Sequence, residues 1–289
     1  MKTDTGAQAA VPTDRGSWPS GLTLPRPRTP VPGAIEAFDA GPASPPAGWS
    51  ASAALRRLRG RRDYVPGDRP VAIAELVSPL RLDILIRAEH FRFLAERLDT
   101  ASSDFGAYVE EALETPYHLW FRRVALPRYH PQAARDPVKA RRAFEQRLRR
   151  SIRLYRRFAQ HGFDRRYPIS LTGAEPGATT TTGKRVRREL YAGDGCHRLA
   201  LLLNAGETVL PAAFYRVAQT PRTNVIDNTR PLISLLSLDR ADYVRYLSLG
   251  YSDQTFVDLP ALLADVERRR PDRLEELTSV LAVDGALAT

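Results

Sequence analysis

The chain has 289 residues, of which 43% are hydrophobic, and a formal net charge of +10 at pH 7. This composition is typical of a globular protein with enough apolar material for a core, and the single cysteine excludes an internal disulfide framework and a cysteine-based zinc site. No apolar run approaches the roughly 18 residues of a membrane span, and the N-terminus lacks the apolar core of a secretion signal, so we expect a cytoplasmic protein with no membrane partner.

The positive charge comes almost entirely from arginine, because Lys2, Lys139 and Lys184 are the only lysines among the 43 basic residues. Arginine binds phosphate through a planar fork of donors, so the charge favours a phosphate-bearing partner. DNA is possible but not favoured. The sequence shows no compact helix, glycine turn and recognition helix of the kind that reads DNA.

The first 68 residues are predicted to form a disordered, proline-rich tail and a basic lead-in. Residues 1–50 hold nine of the 23 prolines, among small and polar residues without sustained periodicity. Such a segment cannot bury enough apolar surface to become ordered. Residues 51–62, "ASAALRRLRGRR", predict a short basic helix or a solvated lead-in.

Residues 69–217 are predicted to form an α+β domain with a small mixed sheet. The segment 82–135 is a helical insertion, and residues 218–289 are a C-terminal helical extension. A flexible loop is predicted at 174–183, "AEPGATTTTG". The strands are predicted near residues 70–77, 167–171, 185–192 and 208–217.

The clearest predicted helix covers residues 136–160. Asp136 is a plausible N-cap, Pro137 occupies the first helical position, and Gly162 ends the helix. Apolar residues recur at steps of three or four. They are Phe144, Leu148, Ile152, Tyr155 and Ala159. A different face carries arginines that are either solvated or directed at phosphate, namely Arg142, Arg149, Arg153 and Arg156.

The candidate site is the segment Asp194-Gly195-Cys196-His197-Arg198. It joins a predicted strand to a predicted helix over 197–205. The free N–H groups and the dipole of a helix N-terminus attract anions, and His197 and Arg198 add side-chain donors. Gly195 leaves the backbone open to a ligand. These features predict a phosphate-binding site. In the alternative interpretation Asp194 caps the helix and Cys196 is a small buried hydrophobe.

The segment "YPISL" and, some twenty residues later, "GDGCHRLALLLNAGETVLPAAFYRV" resemble the core of the ParB/sulfiredoxin-like superfamily. The matching residues follow one another in the family's order. They are Pro168-Ile169, Asp194 to Arg198, Gly206 and Val209-Leu210-Pro211. The resemblance covers residues 70–81 and 136–217, and it implies the fold of that superfamily with 82–135 inserted. It also implies a nucleotide-binding role for Lys139, with Arg142 as an auxiliary residue.

Three activities occur in that superfamily. The free-serine kinases have an Asp-Gly-His-type box, which Asp194-Gly195 resembles. Sulfiredoxins have Gly-Gly-Cys-His-Arg, which matches Cys196, His197 and Arg198 but not Asp194. The ParB partition proteins bind CTP through a different box and append a helix-turn-helix. The resemblance therefore implies a nucleotide-dependent phosphotransferase, a kinase acting on a small metabolite in a biosynthetic pathway.

This hypothesis assigns ATP or ADP as the cofactor, with Mg²⁺ carried by the phosphates. The predicted phosphate-binding residues are Gly195, Cys196, His197, Arg198, Lys139 and Arg142. The predicted catalytic residues are Asp194, His197 and Cys196, and the candidates for the general base are Glu75, Asp83 and Asp194. His90, His118, His130 and His161 are isolated, so no metal site formed by side chains is expected.

Two alternative functions stay open. One is a ParB-like DNA-associated or nucleotide-binding protein, which the positive charge favours and the missing helix-turn-helix opposes. The other is a sulfiredoxin-like, ATP-dependent reductase that uses Cys196. A helix N-terminus beside His197 and Arg198 favours the thiolate that such a reaction needs.

Overall fold

The computed structural model describes residues 64–187 and 190–285. The predicted disordered tail up to residue 63, with its basic helix at 51–62, lies outside these residues. The described chain combines helices with a small mixed sheet, as predicted for the α+β class. Among the described residues, no helix is both long and apolar enough to cross a membrane.

The sheet has four strands in the order β1-β6-β3-β4. The strands of the described chain are β1 (Tyr64–Pro66), β2 (Val71–Ala72), β3 (Ile169–Thr180), β4 (Leu190–Asp194), β5 (Val209–Leu210) and β6 (Tyr215–Val225). β6 is parallel to β3, whereas β1 pairs with β6 and β4 pairs with β3 in antiparallel fashion. β2 and β5 form a separate two-stranded ladder.

Helices before the sheet, around it and after it make up most of the described chain. They are α1 (Ile73–Val77), α2 (Leu82–Glu96), α3 (Leu98–Ser103), α4 (Phe105–Leu113), α5 (Pro116–Trp120), α6 (Leu126–Tyr129), α7 (Pro131–Ala134), α8 (Pro137–His161), α9 (Cys196–Asn204), α10 (Thr229–Leu236), α11 (Arg240–Tyr251), α12 (Leu259–Arg269) and α13 (Pro271–Asp284). A π-helical turn at Phe121–Ala125 joins α5 to α6. The predicted helical insertion at 82–135 is therefore confirmed as helical.

The strand predicted at 70–77 is wrong beyond its first residues. Only Val71–Ala72 is extended, and Ile73–Val77 is the short helix α1. Ile73, Leu76 and Val77 are buried and lie three and four residues apart, which is the spacing of one helical face. The apolar pattern therefore had the period of a helix, although the β-branched residues favour a strand.

The loop predicted at 174–183 is also largely wrong, because β3 continues through it to Thr180 and pairs with β6. Gly177 has a φ of 77°, and the register shifts between Ala174 and Thr179. The Pro176-Gly177 dipeptide interrupts the ladder there without ending the strand. The threonines that follow it suit an extended backbone.

Two other strands differ from their predicted bounds. The strand predicted at 185–192 is β4, which runs from Leu190 to Asp194 and so carries the first residue of the candidate site. The strand predicted at 208–217 is two strands, because a 3-10 turn at Ala212–Phe214 follows Pro211 and separates β5 from β6. Proline lacks the N–H that a continuous ladder needs.

The predicted domain boundaries are correspondingly shifted. Tyr64–Pro66, assigned to the tail, is strand β1 and pairs with Arg216, Val217 and Ala218 of β6. β6 itself runs to Val225, beyond the predicted boundary at 217. Residues of the insertion also share one hydrophobic cluster with the sheet and α9. The inserted helices are therefore part of the same core.

Helix α8 confirms the prediction for 136–160. Asp136 caps it by accepting hydrogen bonds from the N–H groups of Val138 and Lys139, at 3.0 and 3.1 Å. Gly162 ends it with a φ of 65°. The buried face differs from the prediction near its end, because Tyr155 is only half-buried, Ala159 is exposed and Phe158 is buried instead.

A buried lysine joins the sheet region to the C-terminal helices. Lys184 is fully buried, and its Nζ lies 3.0 Å from Oδ2 of both Asp227, after β6, and Asp284, at the end of α13. The hydroxyls of Thr182 and Tyr243 donate to these two carboxylates. Helices α11 to α13 meanwhile form a second hydrophobic cluster of their own. The lysine is thus a buried ionic link between that cluster and the strand region.

We predict that Lys184→Met lowers the free energy of unfolding by about 3–5 kcal/mol, because it leaves two buried carboxylates without a cation. Urea denaturation at pH 7 measures the loss. The neighbouring Arg185→Met is the control: its side chain is 76% exposed and lies 3.5 Å from Glu275, so its loss should stay below about 1 kcal/mol. Equal losses in the two variants would contradict the ionic link.

Candidate functional site

The turn between β4 and α9 is built around a glycine that no other residue replaces easily. Gly195 has a φ of 89°, in the left-handed region that favours glycine. A Cβ there would also lie 3.1 Å from Cγ1 of Ile169. The Gly195 N–H donates to Oδ1 of Asp194 at 2.7 Å, which fixes the turn. The sequence prediction of a tight Asp-Gly turn leading into a helix is confirmed.

The N-terminus of α9 carries no side-chain cap from any described residue. Cys196 and His197 are its first two residues, so their N–H groups face the start of the helix, where the dipole favours an anion. Arg198 lies in the same turn, and its Nη1 is buried without a hydrogen-bond partner in the described chain. An uncapped helix end and an unpaired guanidinium donor therefore occur together, as the phosphate-binding interpretation requires. Asp194 does not cap the helix as the alternative supposed.

Arg81 is buried beside Cys196. Its Nε and Nη2 donate to the two carboxylate oxygens of Asp83, at 2.8 and 3.1 Å, and its Nη1 donates to the carbonyl of Ala192. Nη2 also lies 2.8 Å from Sγ of Cys196. The sulfur is therefore held against a guanidinium donor. Burial alone would lower the pKa of Arg81, but Asp83 and Cys196 raise it above its usual range.

Asp83 is committed to this ion-pair cluster. Arg87 donates to its Oδ2 and to its backbone carbonyl. Burial alone would raise the pKa of Asp83, but the two guanidinium groups outweigh it and hold the pKa well below its usual range. A carboxylate held in this way does not accept a proton near neutral pH. Asp83 is thereby removed from the candidate bases. Glu75 lies on α1, outside the site.

His197 belongs to a hydrogen-bonded chain that also uses Arg147 of α8 and Tyr117 of α5. Nε of Arg147 donates to the Tyr117 hydroxyl at 2.7 Å, and that hydroxyl lies 3.2 Å from Nε2 of His197. The hydroxyl is therefore within hydrogen-bond distance of both side chains. Burial and then the nearby Arg87 and Arg147 lower the pKa of His197 well below its usual value. The ring is therefore neutral at pH 7 and adds no charge to the site.

These groups line a cavity of about 620 Å³, which we call cavity A. Asp194 to Arg198, Arg81 and Asp83 form part of its wall, and Tyr129 and Tyr167 are exposed on it. Its charged lining consists of six arginines and three aspartates, so arginine predominates. The arginines are Arg81, Arg87, Arg128, Arg147, Arg157 and Arg198.

A second cavity of about 600 Å³, cavity B, adjoins the first and shares Arg147, His197 and Tyr129 with it. Lys139 and Arg142, predicted to bind the nucleotide, lie on cavity B and not on cavity A. Lys139 is 67% exposed, and its Nζ lies 3.2 Å from Oδ2 of Asp136. The structure therefore brings Gly195 to Arg198 together and places the other two predicted residues on a separate wall.

Sequence reasoning missed Arg81, Arg87 and Arg147. Asp83 and Arg87 stand four residues apart among the apolar residues that begin α2, and such a pair in a buried segment is a signal of an internal ion pair. Arg147 lies between the buried Phe144 and Leu148 of α8. The contact between Arg81 and Cys196, 115 residues apart, leaves no local signal.

Comparisons with protein-family models, with curated proteins and with solved structures find no match. The resemblance to the ParB/sulfiredoxin-like superfamily therefore stays a prediction. Within residues 64–187 and 190–285, no three His, Cys, Asp or Glu side chains form a group that could hold a metal ion. The function is accordingly inferred from the geometry of the two cavities.

The fully enclosed His90 predicts a pH dependence of stability. It stacks on Tyr117 at 3.9 Å between ring centroids, and burial, with Arg147 nearby, lowers its pKa to about 3. Between this value and the ordinary 6.5, the unfolded chain binds a proton that the folded chain does not. Stability therefore falls as the pH falls through this range.

We expect His90→Phe to lose about 2 kcal/mol less stability than the wild type between pH 7 and pH 5, measured by urea denaturation at both values. The exposed His130→Gln is the control and should keep the wild-type dependence. If His90→Phe and the wild type lost the same amount, His90 would be protonated in the folded state.

Proposed function

We propose that the chain binds the phosphates of ATP or ADP in cavity A and transfers a phosphoryl group to a small acceptor. One observation carries the proposal. Two buried guanidinium nitrogens without partners, Nε of Arg87 and Nη1 of Arg198, belong to residues that line a cavity of nucleotide size at an uncapped helix N-terminus. Buried donors without partners are rare and costly in proteins, and a bound anion would satisfy them.

The charge of cavity A supports a ligand with several negative charges. Its six arginines exceed its three aspartates by three, and the neutral His197 does not change that balance. Asp83 is paired with Arg81 and Arg87, and Asp164 is paired with Arg157, at 2.8 Å. Triphosphate or diphosphate oxygens would meet this excess charge.

The exposed tyrosines of cavity A suit the other half of a nucleotide. Tyr129 is 65% and Tyr167 is 51% exposed, which is unusual for large aromatic side chains. Both line cavity A. An exposed aromatic ring offers a flat surface on which a nucleobase can stack, by about 1–3 kcal/mol per base.

Phosphoryl transfer requires positioning and positive charge more than covalent chemistry from the protein. Mg²⁺ would arrive with the phosphates and neutralise part of their charge. Of the three carboxylates on cavity A, Asp83 and Asp164 are held by arginines, as described above. Asp194 accepts a hydrogen bond from the Gly195 N–H and, within the described chain, forms no ion pair with an arginine. We therefore assign to Asp194 the role of accepting the acceptor's proton.

Two assays test the proposal. Calorimetry should show binding of ADP, and Arg198→Ala should weaken it by about tenfold or more, because a hydrogen bond to a charged group is worth roughly 1.5–3 kcal/mol. Arg153→Ala is the matched control, since Arg153 is exposed and lines neither cavity. Equal ADP affinity in the wild type and in Arg198→Ala would rule out this site.

Incubation with ATP or ADP and a metabolite pool, followed by mass spectrometry, should reveal a phosphorylated product. Asp194→Asn should bind ADP as the wild type does and form at least about a hundredfold less product, the usual scale of a general base. A wild-type protein that binds ADP and yields no phosphorylated metabolite would instead favour a nucleotide-binding role. Steeply salt-dependent binding of duplex DNA would indicate the ParB-like alternative.

A sulfiredoxin-like reductase is the second candidate, favoured by the contact between Arg81 and Sγ of Cys196 on the wall of cavity A. The two functions predict different outcomes for Cys196→Ala. In a phosphotransferase this variant keeps more than about a tenth of the activity, a loss below ~1.4 kcal/mol in the barrier. Loss of all activity with ADP binding intact would indicate that Cys196 is the nucleophile.

A further inference from the structure

Cavity B has cations on its wall and no carboxylate among its described lining residues. Lys139, Arg142, Arg147 and Arg150 all come from helix α8. They follow one another at steps of three, five and three residues, which keeps them on neighbouring ridges of one helical face. Cavity A, in contrast, contains three aspartates. Cavity B is therefore the more uniformly positive of the two.

Two of these cations have no acidic partner in the described chain. Arg142 and Arg150 are exposed, and neither forms an ion pair with a described residue, whereas the nearby Arg141 pairs with Glu110 and Glu145. Like charges along one helix face destabilise it unless something neutralises them. An anionic ligand in cavity B would do so.

The remaining wall of cavity B is mixed. Phe121, Ala125, Ala143 and Leu154 give it an apolar part, beside polar side chains such as Gln146. A cavity of about 600 Å³ holds a small organic molecule, and a mixed lining of this kind favours one with both an apolar body and an anionic group. Free inorganic anions would leave the apolar surface uncovered.

The two cavities meet at Arg147 and His197, which line both. Arg147 is packed over the rings of Tyr117, Trp120 and Phe121, at 5.6, 5.1 and 5.4 Å from their centroids, and so is held in place between them. A ligand in cavity B would therefore lie next to one in cavity A, with a guanidinium group at the boundary. This arrangement suits a phosphoryl donor and its acceptor.

We propose that cavity B binds the acceptor of the phosphotransferase, and that the acceptor is a small organic anion with an apolar body and a carboxylate or phosphate group. Its reacting hydroxyl would extend past Arg147 into cavity A, where Asp194 lies. The proposal rests on the proposed function for its role as acceptor site. It reassigns Lys139 and Arg142 from the nucleotide to the acceptor, and it adds Arg150 to them.

The test compares two double variants that each remove two positive charges. R142Q/R150Q alters cavity B, and R123Q/R153Q alters exposed arginines that line neither cavity. The full chain is titrated by calorimetry with phenyl phosphate and with benzoate, which share an apolar ring and differ in the anionic group. ADP is titrated separately into each protein.

We expect at least one probe to bind the wild type. Its affinity should be about tenfold lower for R142Q/R150Q and within about twofold of the wild-type affinity for R123Q/R153Q. ADP should bind all three proteins alike. Preference for one probe identifies the anionic group. The proposal is overturned if neither probe binds the wild type at up to about 10 mM, or if the two double variants weaken the probes equally. Failure of ADP to bind the wild type would overturn the nucleotide function while the probe titrations still decide cavity B.

Discussion

The arrangement of the site depends on one buried guanidinium group. Arg81 donates to both carboxylate oxygens of Asp83, to the Ala192 carbonyl on β4 and to the sulfur of Cys196 on α9. It therefore links α2, which carries Asp83, to β4 and α9, the strand and the helix on either side of the turn at Gly195. A charge buried in this way is tolerated only because its donors are satisfied, and loss of one partner would leave the others around an uncompensated cation.

The arginines of the site divide into two groups by what they contact. Arg81 is saturated by protein acceptors, so it is a structural residue. Arg87 and Arg198 each keep a buried nitrogen without a partner in the described chain. A protein rarely leaves such donors unused, so these two nitrogens are where the proposed phosphate ligand would add partners, whereas the satisfied donors of Arg81 hold the wall in place.

The sequence correctly predicted the helix ends and turns that are set by residues close together in the chain. The cap at Asp136, the proline at 137 and the glycine at 162 define α8, and the Asp194-Gly195 pair defines the turn into α9. The prediction failed at Ile73–Val77, where a short apolar run is compatible with either a strand or a helix. It also failed in β3, where pairing with a distant strand keeps a loop-like sequence extended. Composition therefore favours the wrong element where the partner lies far away in the chain.

The site itself was predictable only in part for the same reason. Its helix N-terminus is contiguous in sequence, and its residues from Gly195 to Arg198 do lie together on cavity A. The walls come from α2 and α8, which no spacing rule connects to that turn. The separation of Lys139 from the turn likewise follows from how α8 packs, since Lys139 occupies its exposed first turn.

Lys184 has a consequence for the order of folding. Its two carboxylate partners are supplied by Asp227 and Asp284, and the second follows it by one hundred residues. During synthesis the strand region that carries Lys184 is complete long before α13 exists. Until that helix docks, the ammonium group has only one of its two acidic partners, so the early-made region cannot seal it away from water at low cost. We therefore expect burial of this lysine to follow the docking of α13.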